Sequence, residues 1–129
     1  MDEVLRSDRL AAATSMGAVT LLVGDLDAMT RYYRDVVTLS VLDAQGDTVT
    51  LGRAGVPLVI LRREPSLKHA TPGSAGLFHT AILFESQTAL AAALYSVATH
   101  APGTFTGSAD HLVSEAFYAT DPEGNGVEL

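Results

Sequence analysis

Residues 17–37, GAVTLLVGDLDAMTRYYRDVV, switch hydrophobic period half-way along, and that switch decides the fold. Gly17 to Asp25 is dense in valine, leucine and threonine, which suit a pleated, half-buried strand. Asp25 is a short acceptor of the kind that caps a helix start. Beyond it Leu26, Met29, Tyr33 and Val36 recur at intervals of three and four, so they share one helical face. This helix is expected to end before Leu39. Three strand-like pieces follow, SVLDA, DTVTLG and VPLVILRR, divided by the turn signals Gln45-Gly46-Asp47 and Ala54-Gly55. The whole reads as one β-α-β-β-β unit.

The stretch Glu64 to Gly76, with its prolines, glycines and polar residues, reads as a linker, and then the pattern starts again. LFHTAILF, residues 77–84, is a strand leading to the capping residue Ser86, and Leu90, Leu94 and Val97 make a second helical face. A shift of 61 positions lays Asp25 on Ser86, Met29 on Leu90, Tyr33 on Leu94 and Val36 on Val97. The chain is an internal duplication in pattern. Pro102-Gly103 closes the second helix region. FYAT, the turn Asp121-Pro122-Glu123-Gly124 and a last strand around GVEL leave room for three more strands. The expected fold is α+β: one domain over residues 1–129, with tandem βαβββ modules at 16–63 and 76–129 and a linker at 64–75. Residues 1–15 are an N-terminal arm, short and helical or frayed.

A chain of 129 residues that is 47% hydrophobic can bury a core of its own. It has no cysteine, which excludes disulfides, thiolate metal sites and a cysteine nucleophile. Any metal chemistry must use imidazole and carboxylate. Acidic residues outnumber basic ones 15 to 8, so nucleic-acid phosphates and anionic membrane surfaces are repelled. No apolar run approaches the roughly 20 residues of a membrane span, and the opening MDEVLRSDRL has acids where a secretory signal has bases. Small-molecule or protein partners and a cytoplasmic location are expected.

Each copy is a control for the other. Under the 61-residue shift His79 falls on Ala18, so the second copy has an imidazole where a methyl sufficed. The last strands differ too: the first copy ends in the apolar VPLVIL, while Glu128 stands between Val127 and Leu129 and must face away from them. The first and last strands of a unit share a sheet, so His79 and Glu128 can meet on one face and form a metal-ligand pair. Taken singly, each has a plainer reading. A strand histidine is commonly a hydrogen-bonded core residue, and a glutamate beside a chain end is commonly solvated.

The segments GAVTLLVGDLDAMTRYYRDVV, GLFHTAILF and DHLVSEAFYATDPEGNGVEL resemble the vicinal oxygen chelate (glyoxalase/bleomycin resistance/extradiol dioxygenase) superfamily, and within it the catechol 2,3-dioxygenase-like branch. The likeness runs from Met16 to the last residue. Its most specific part is Asp110-His111, Ser114-Glu115-Ala116, Asp121 to Gly126, and Glu128. The resemblance implies curved mixed sheets around a shared cleft with a metal on the inner faces. In ring-cleaving members two histidines and a glutamate hold Fe(II) or Mn(II), leaving open positions for a catecholate and oxygen. His79 matches one metal ligand and Glu128 another. His111 matches a histidine that hydrogen-bonds near the oxygen site, and Tyr118 a tyrosine that holds substrate; both are expected to be catalytic. The plainer alternatives are a loop histidine that satisfies a turn and a core ring with its hydroxyl at the rim.

One departure matters most. Single paired-module enzymes of this kind carry a further histidine on the opening strand of the first module, where this chain has Ala18. The completing imidazole would come from a following pair of modules or from a partner subunit in a homodimer. His69 lies in the linker and His100 at a helix end, so neither is chosen. The implied function is a metal-dependent extradiol ring-cleaving dioxygenase, or a two-module fragment of one, with a small aromatic diol and O2 as substrates. The alternatives are a metal-free small-molecule binding protein of the bleomycin-resistance type and a glyoxalase-like lyase or isomerase.

Overall fold

The computed structural model describes residues 9–129. The first unit consists of β1 (Val19–Val23), α1 (Leu26–Arg31), β2 (Ser40–Gln45), β3 (Thr48–Arg53) and β4 (Val56–Arg63). The second consists of β5 (His79–Ala81), α2 (Gln87–His100), β6 (Phe105–Asp110), β7 (Glu115–Thr120) and β8 (Gly126–Glu128). The two sheets repeat one topology. Their strand orders are β1-β4-β3-β2 and β5-β8-β7-β6, with the first strand of each unit parallel to the last. A helical crossover makes that parallel pairing possible.

The caps are those the sequence offers: Asp25 accepts from the Ala28 amide at 2.9 Å and Ser86 from the Ala89 amide at 3.1 Å. The first helix departs from regularity. After Arg31 it widens into a π-helical turn, Tyr32–Val36, closed by the Val37 amide on the Tyr32 carbonyl at 3.0 Å. The wider turn lets Tyr32, Tyr33 and Val36 all be buried, which a strict three-to-four spacing of apolar positions does not anticipate. Thr38 then takes a φ of 70°, a left-handed position usual for glycine. Arg53 supports it by donating to both the carbonyl and the hydroxyl of Thr38 at 2.9 Å.

Strand β5 is shorter than LFHTAILF suggested. It has three residues because its partner β8 has three, and the Ile82 amide adds one more ladder bond to the Glu128 carbonyl at 2.8 Å. Leu77 and Phe78 have no strand beside them and are exposed. Of the expected N-terminal arm, residues 1–8 lie outside the described residues. Residues 9–15 hold one turn, closed by the Thr14 amide on the Ala11 carbonyl at 2.9 Å, and no helix.

Leu21, Val23, Leu51, Val59 and Leu61 of the first sheet share one core with Met29, Tyr33, Ile82, Val97, Val127 and Leu129. Polar ties also cross between the units. Ser96 donates to the Asp35 carbonyl at 3.0 Å, Tyr32 to the Thr104 hydroxyl at 3.1 Å, and Arg53 makes a two-pronged contact of 2.8 Å per arm with Glu85. The same guanidinium lies 4.8 Å from the centre of the Phe84 ring. The fork from Arg53 holds the Glu85 carboxyl down at about 2, against an ordinary value of 4.5. A lowered carboxylate pKa means that the bridge contributes fully above the unfolded value and fades as protons bind the folded state. Wild type and Glu85→Gln are therefore expected to differ by a constant small stability above about pH 4.5 and to converge as the pH falls toward 2. Urea midpoints across that range measure this, and the gap stays small because Glu85 is exposed.

A second expectation concerns Thr80, which is 6% exposed and whose hydroxyl has no hydrogen-bond partner. The corresponding place in β1 is Val19, since Val19 pairs with Val59 as Thr80 pairs with Val127. Removing an unsatisfied buried hydroxyl is favourable, so Thr80→Val should stabilise the fold by about 1 kcal/mol in urea denaturation.

Candidate functional site

The pairing of β5, β8 and β7 decides which side chains meet. His79 lies opposite Gly126 and Ala81 opposite Glu128, while Tyr118 lies opposite Glu128 on the other side of β8. Paired residues point to one face and alternate residues return to it, so His79, Tyr118 and Glu128 share the open face of the second sheet. Thr80 and Val127 take the opposite, buried face. The imidazole of His79 lies 5.0 Å from the Tyr118 ring, centre to centre, and 4.0 Å from the Phe78 ring, which is tilted to it by 55°. His111, in the β6–β7 hairpin, comes within 3.2 Å of the Tyr118 hydroxyl through Nε2. The hairpin is held by the His111 amide on the Ser114 carbonyl and by the Leu112 amide on the Asp110 carboxylate, at 2.9 and 2.8 Å.

The first sheet provides the comparison. Ala18 precedes Val19 as His79 precedes Thr80. Thr50 pairs with Ile60 and Leu51 with Val59, as Tyr118 pairs with Glu128 and Ala119 with Val127. The positions matching His79, Tyr118 and Glu128 are thus Ala18, Thr50 and Ile60. His69 and His100 stay apart from this face: His69 is exposed in the segment before β5, and His100 Nδ1 lies against Ser96 at the end of α2. A cleft of about 790 Å³ runs between the units, with Met16, Val19 and Leu58 on one side and His79, Leu83 and Glu128 on the other.

An imidazole and a carboxylate on one face are donors of the type that binds Fe(II), Mn(II) or a similar divalent ion. Among the described residues no three histidine, aspartate or glutamate side chains come close enough to hold a metal together.

Two contributors escaped the reading of the sequence. Phe78 was placed within a strand, yet it lies just before β5, is 83% exposed and sets its ring 4.0 Å from that of His79. Gly126 is the other: a Cβ there would run into the Phe78 carbonyl and the His79 ring, so only glycine lets the imidazole lie across β8. The signal available was a glycine inside the last strand-like stretch, GVEL. Gly126→Ala must push backbone or ring aside. It is expected to cost about 1–3 kcal/mol in urea unfolding and to move the His79 ring resonances, whereas substitution at the open Gly103 should do neither.

With this geometry in place, the chain can be compared with known proteins. Residues 15–129 match the model of the Glyoxalase/Bleomycin resistance protein/Dioxygenase superfamily. The chain is 35% identical over 120 residues to catechol-2,3-dioxygenase of Bacillus subtilis (strain 168); the match covers 90% of this chain and 41% of that protein, so the chain spans less than half of its length. Among solved structures, the glyoxylase/bleomycin resistance protein/dioxygenase domain from Frankia sp. EAN1pec superposes with a TM-score of 0.70 at 22% identity, covering 91% of this chain and 96% of that one. Lactoylglutathione lyase from Agrobacterium tumefaciens superposes with a TM-score of 0.64 at 20% identity, covering 92% and 93%. At such identities the structures speak for the fold alone. The duplicated βαβββ architecture and the family match together place this chain in the Glyoxalase/Bleomycin resistance protein/Dioxygenase superfamily.

Proposed function

We propose that this chain carries part of an extradiol ring-cleaving site of the catechol 2,3-dioxygenase kind, for a small aromatic diol and O2, completed by a donor from outside the described residues. The observation that carries this reading is the placement of His79, Tyr118 and Glu128 on one open sheet face with His111 against the Tyr118 hydroxyl. The similarity to a catechol-2,3-dioxygenase supports the substrate class. A divalent metal bound to His79 and Glu128 would supply an anchor for both diol oxygens. The chain's own residues have separate tasks. The Tyr118 hydroxyl donates to or accepts from a phenolic oxygen, and His111 Nε2, 3.2 Å away, holds or releases the proton that the phenol exchanges. Phe78 offers a ring surface beside His79 for a flat substrate.

The count of two donors favours a second reading, a metal-free binding protein for the same kind of small molecule. Anaerobic reconstitution with Fe(II), followed by oxygen uptake with a panel of catechols, separates the two. The chain alone should bind metal weakly and turn over little. Ala18→His places an imidazole at the vacant repeat position and should raise Fe(II) or Mn(II) affinity, a gain that Glu128→Gln should cancel. Tight binding by the unmodified monomer, indifferent to Glu128→Gln, would overturn the ligand assignment. Catechol binding without any metal dependence would select the binding protein.

A further inference from the structure

The first unit contributes little reactive chemistry, yet it grips the turn that leads into β8. Asp121, 4% exposed, closes that turn by accepting from the Glu123 and Asn125 amides at 3.0 and 2.9 Å and from Asn125 Nδ2. Tyr33, from the π-helical turn of the first unit, donates its buried hydroxyl to the same carboxylate at 2.9 Å. Two residues on, Glu123 reaches across to the β1–α1 junction, where its Oε1 accepts from the Gly24 amide at 2.7 Å and the Asp25 amide at 3.2 Å. The absence of a side chain at Gly24 leaves that carboxylate its place: a Cβ there would stand 2.8 Å from Glu123 Oε1, so the carboxylate would have to shift. Strand β8 starts at Gly126, directly after this turn, and has only three residues with which to place Glu128.

We infer that Glu123, seated on the Gly24 and Asp25 amides, is a positioning residue that fixes the entry of β8 and thereby the placement of Glu128 on the open face. A three-residue strand has few ladder bonds to set its own register, so an anchor at its entry has leverage on everything it carries. The inference rests on the reading of Glu128 as a ligand, and the test keeps the two apart. Wild type, Glu123→Ala, Glu123→Gln, Gly24→Ala, Glu128→Gln and the double variant Glu123→Ala with Glu128→Gln are compared in two measurements. The first is amide exchange at Ile82 and Leu129, whose N–H groups bond the Glu128 and Phe117 carbonyls. The second is Mn(II) affinity by calorimetry.

Glu123→Ala and Gly24→Ala should each speed exchange at Ile82 and Leu129 about fivefold, leave the β2–β3 amides as they were, and weaken Mn(II) binding by a similar factor. Glu123→Gln should preserve both properties, since an amide oxygen still accepts from the two N–H groups. On the Glu128→Gln background, Glu123→Ala should cost no further affinity, because its effect passes through that carboxylate. Unchanged exchange at Ile82 and Leu129, or an additive loss in the double variant, overturns the inference. If Glu128→Gln alone leaves Mn(II) affinity intact, the ligand reading fails, and the exchange measurement still decides whether Glu123 anchors β8.

Discussion

A buried carboxylate must find donors or forfeit several kcal/mol, and Asp121 satisfies that demand from both halves of the molecule at once. Its local donors curl residues 121–125 into a tight turn, and its distant donor is the Tyr33 hydroxyl of the first unit. Burial, and then the Asp121 charge, drive the Tyr33 pKa upward, so the phenol stays a donor throughout the working range. The bond cannot be dropped without stranding the Tyr33 hydroxyl in the core, while Asp121 would keep its donors within the turn. Turn geometry, the start of β8 and one of the ties that dock the units thus meet at a single carboxylate.

The duplication gives the fold two equivalent frames, and they have been used unequally. Ala18, Thr50 and Ile60 are side chains that a sheet face tolerates without consequence, whereas His79, Tyr118 and Glu128 in the matching places bring a base, a phenol and an acid together. The backbone registers agree at these positions, so the difference is one of chemistry on a common frame. The division of labour follows. The first unit supplies Tyr33, Arg53 and the Gly24 and Asp25 amides, and every one of them holds a residue of the second.

How much of this could be read from the sequence depended on the range of the interaction. The strand and helix periods, the caps Asp25 and Ser86 and the repeat of 61 positions are local patterns, and the structure follows them closely. The common face of His79 and Glu128 was also readable, since strand alternation fixes direction once two strands are known to pair. The π-helical widening at Tyr32 was not, because it answers to the need to bury two adjacent tyrosines and leaves no mark in apolar spacing. Nor was the shortness of β5, which is set by the length of β8, 47 residues further on from His79 at Gly126. Arg53 and Glu85 gave no sign of each other, as exposed charges carry no address in a single sequence.

The scarcity of donors at the site and the openness of its face have one physical root. His79 and Glu128 are half-buried in the cleft between the units, and Leu83, which lines the same cleft, is 91% exposed. A metal held by two ligands in contact with bulk water exchanges readily, because water competes for every remaining position. A third donor and a cover are therefore not separate requirements. Under the proposed ligand assignment, an element that brings the further imidazole would approach through this cleft and would remove water from Leu83. On that reading the apolar side chains of the cleft contribute to binding the element, and ligand supply and dehydration of the site come in one step.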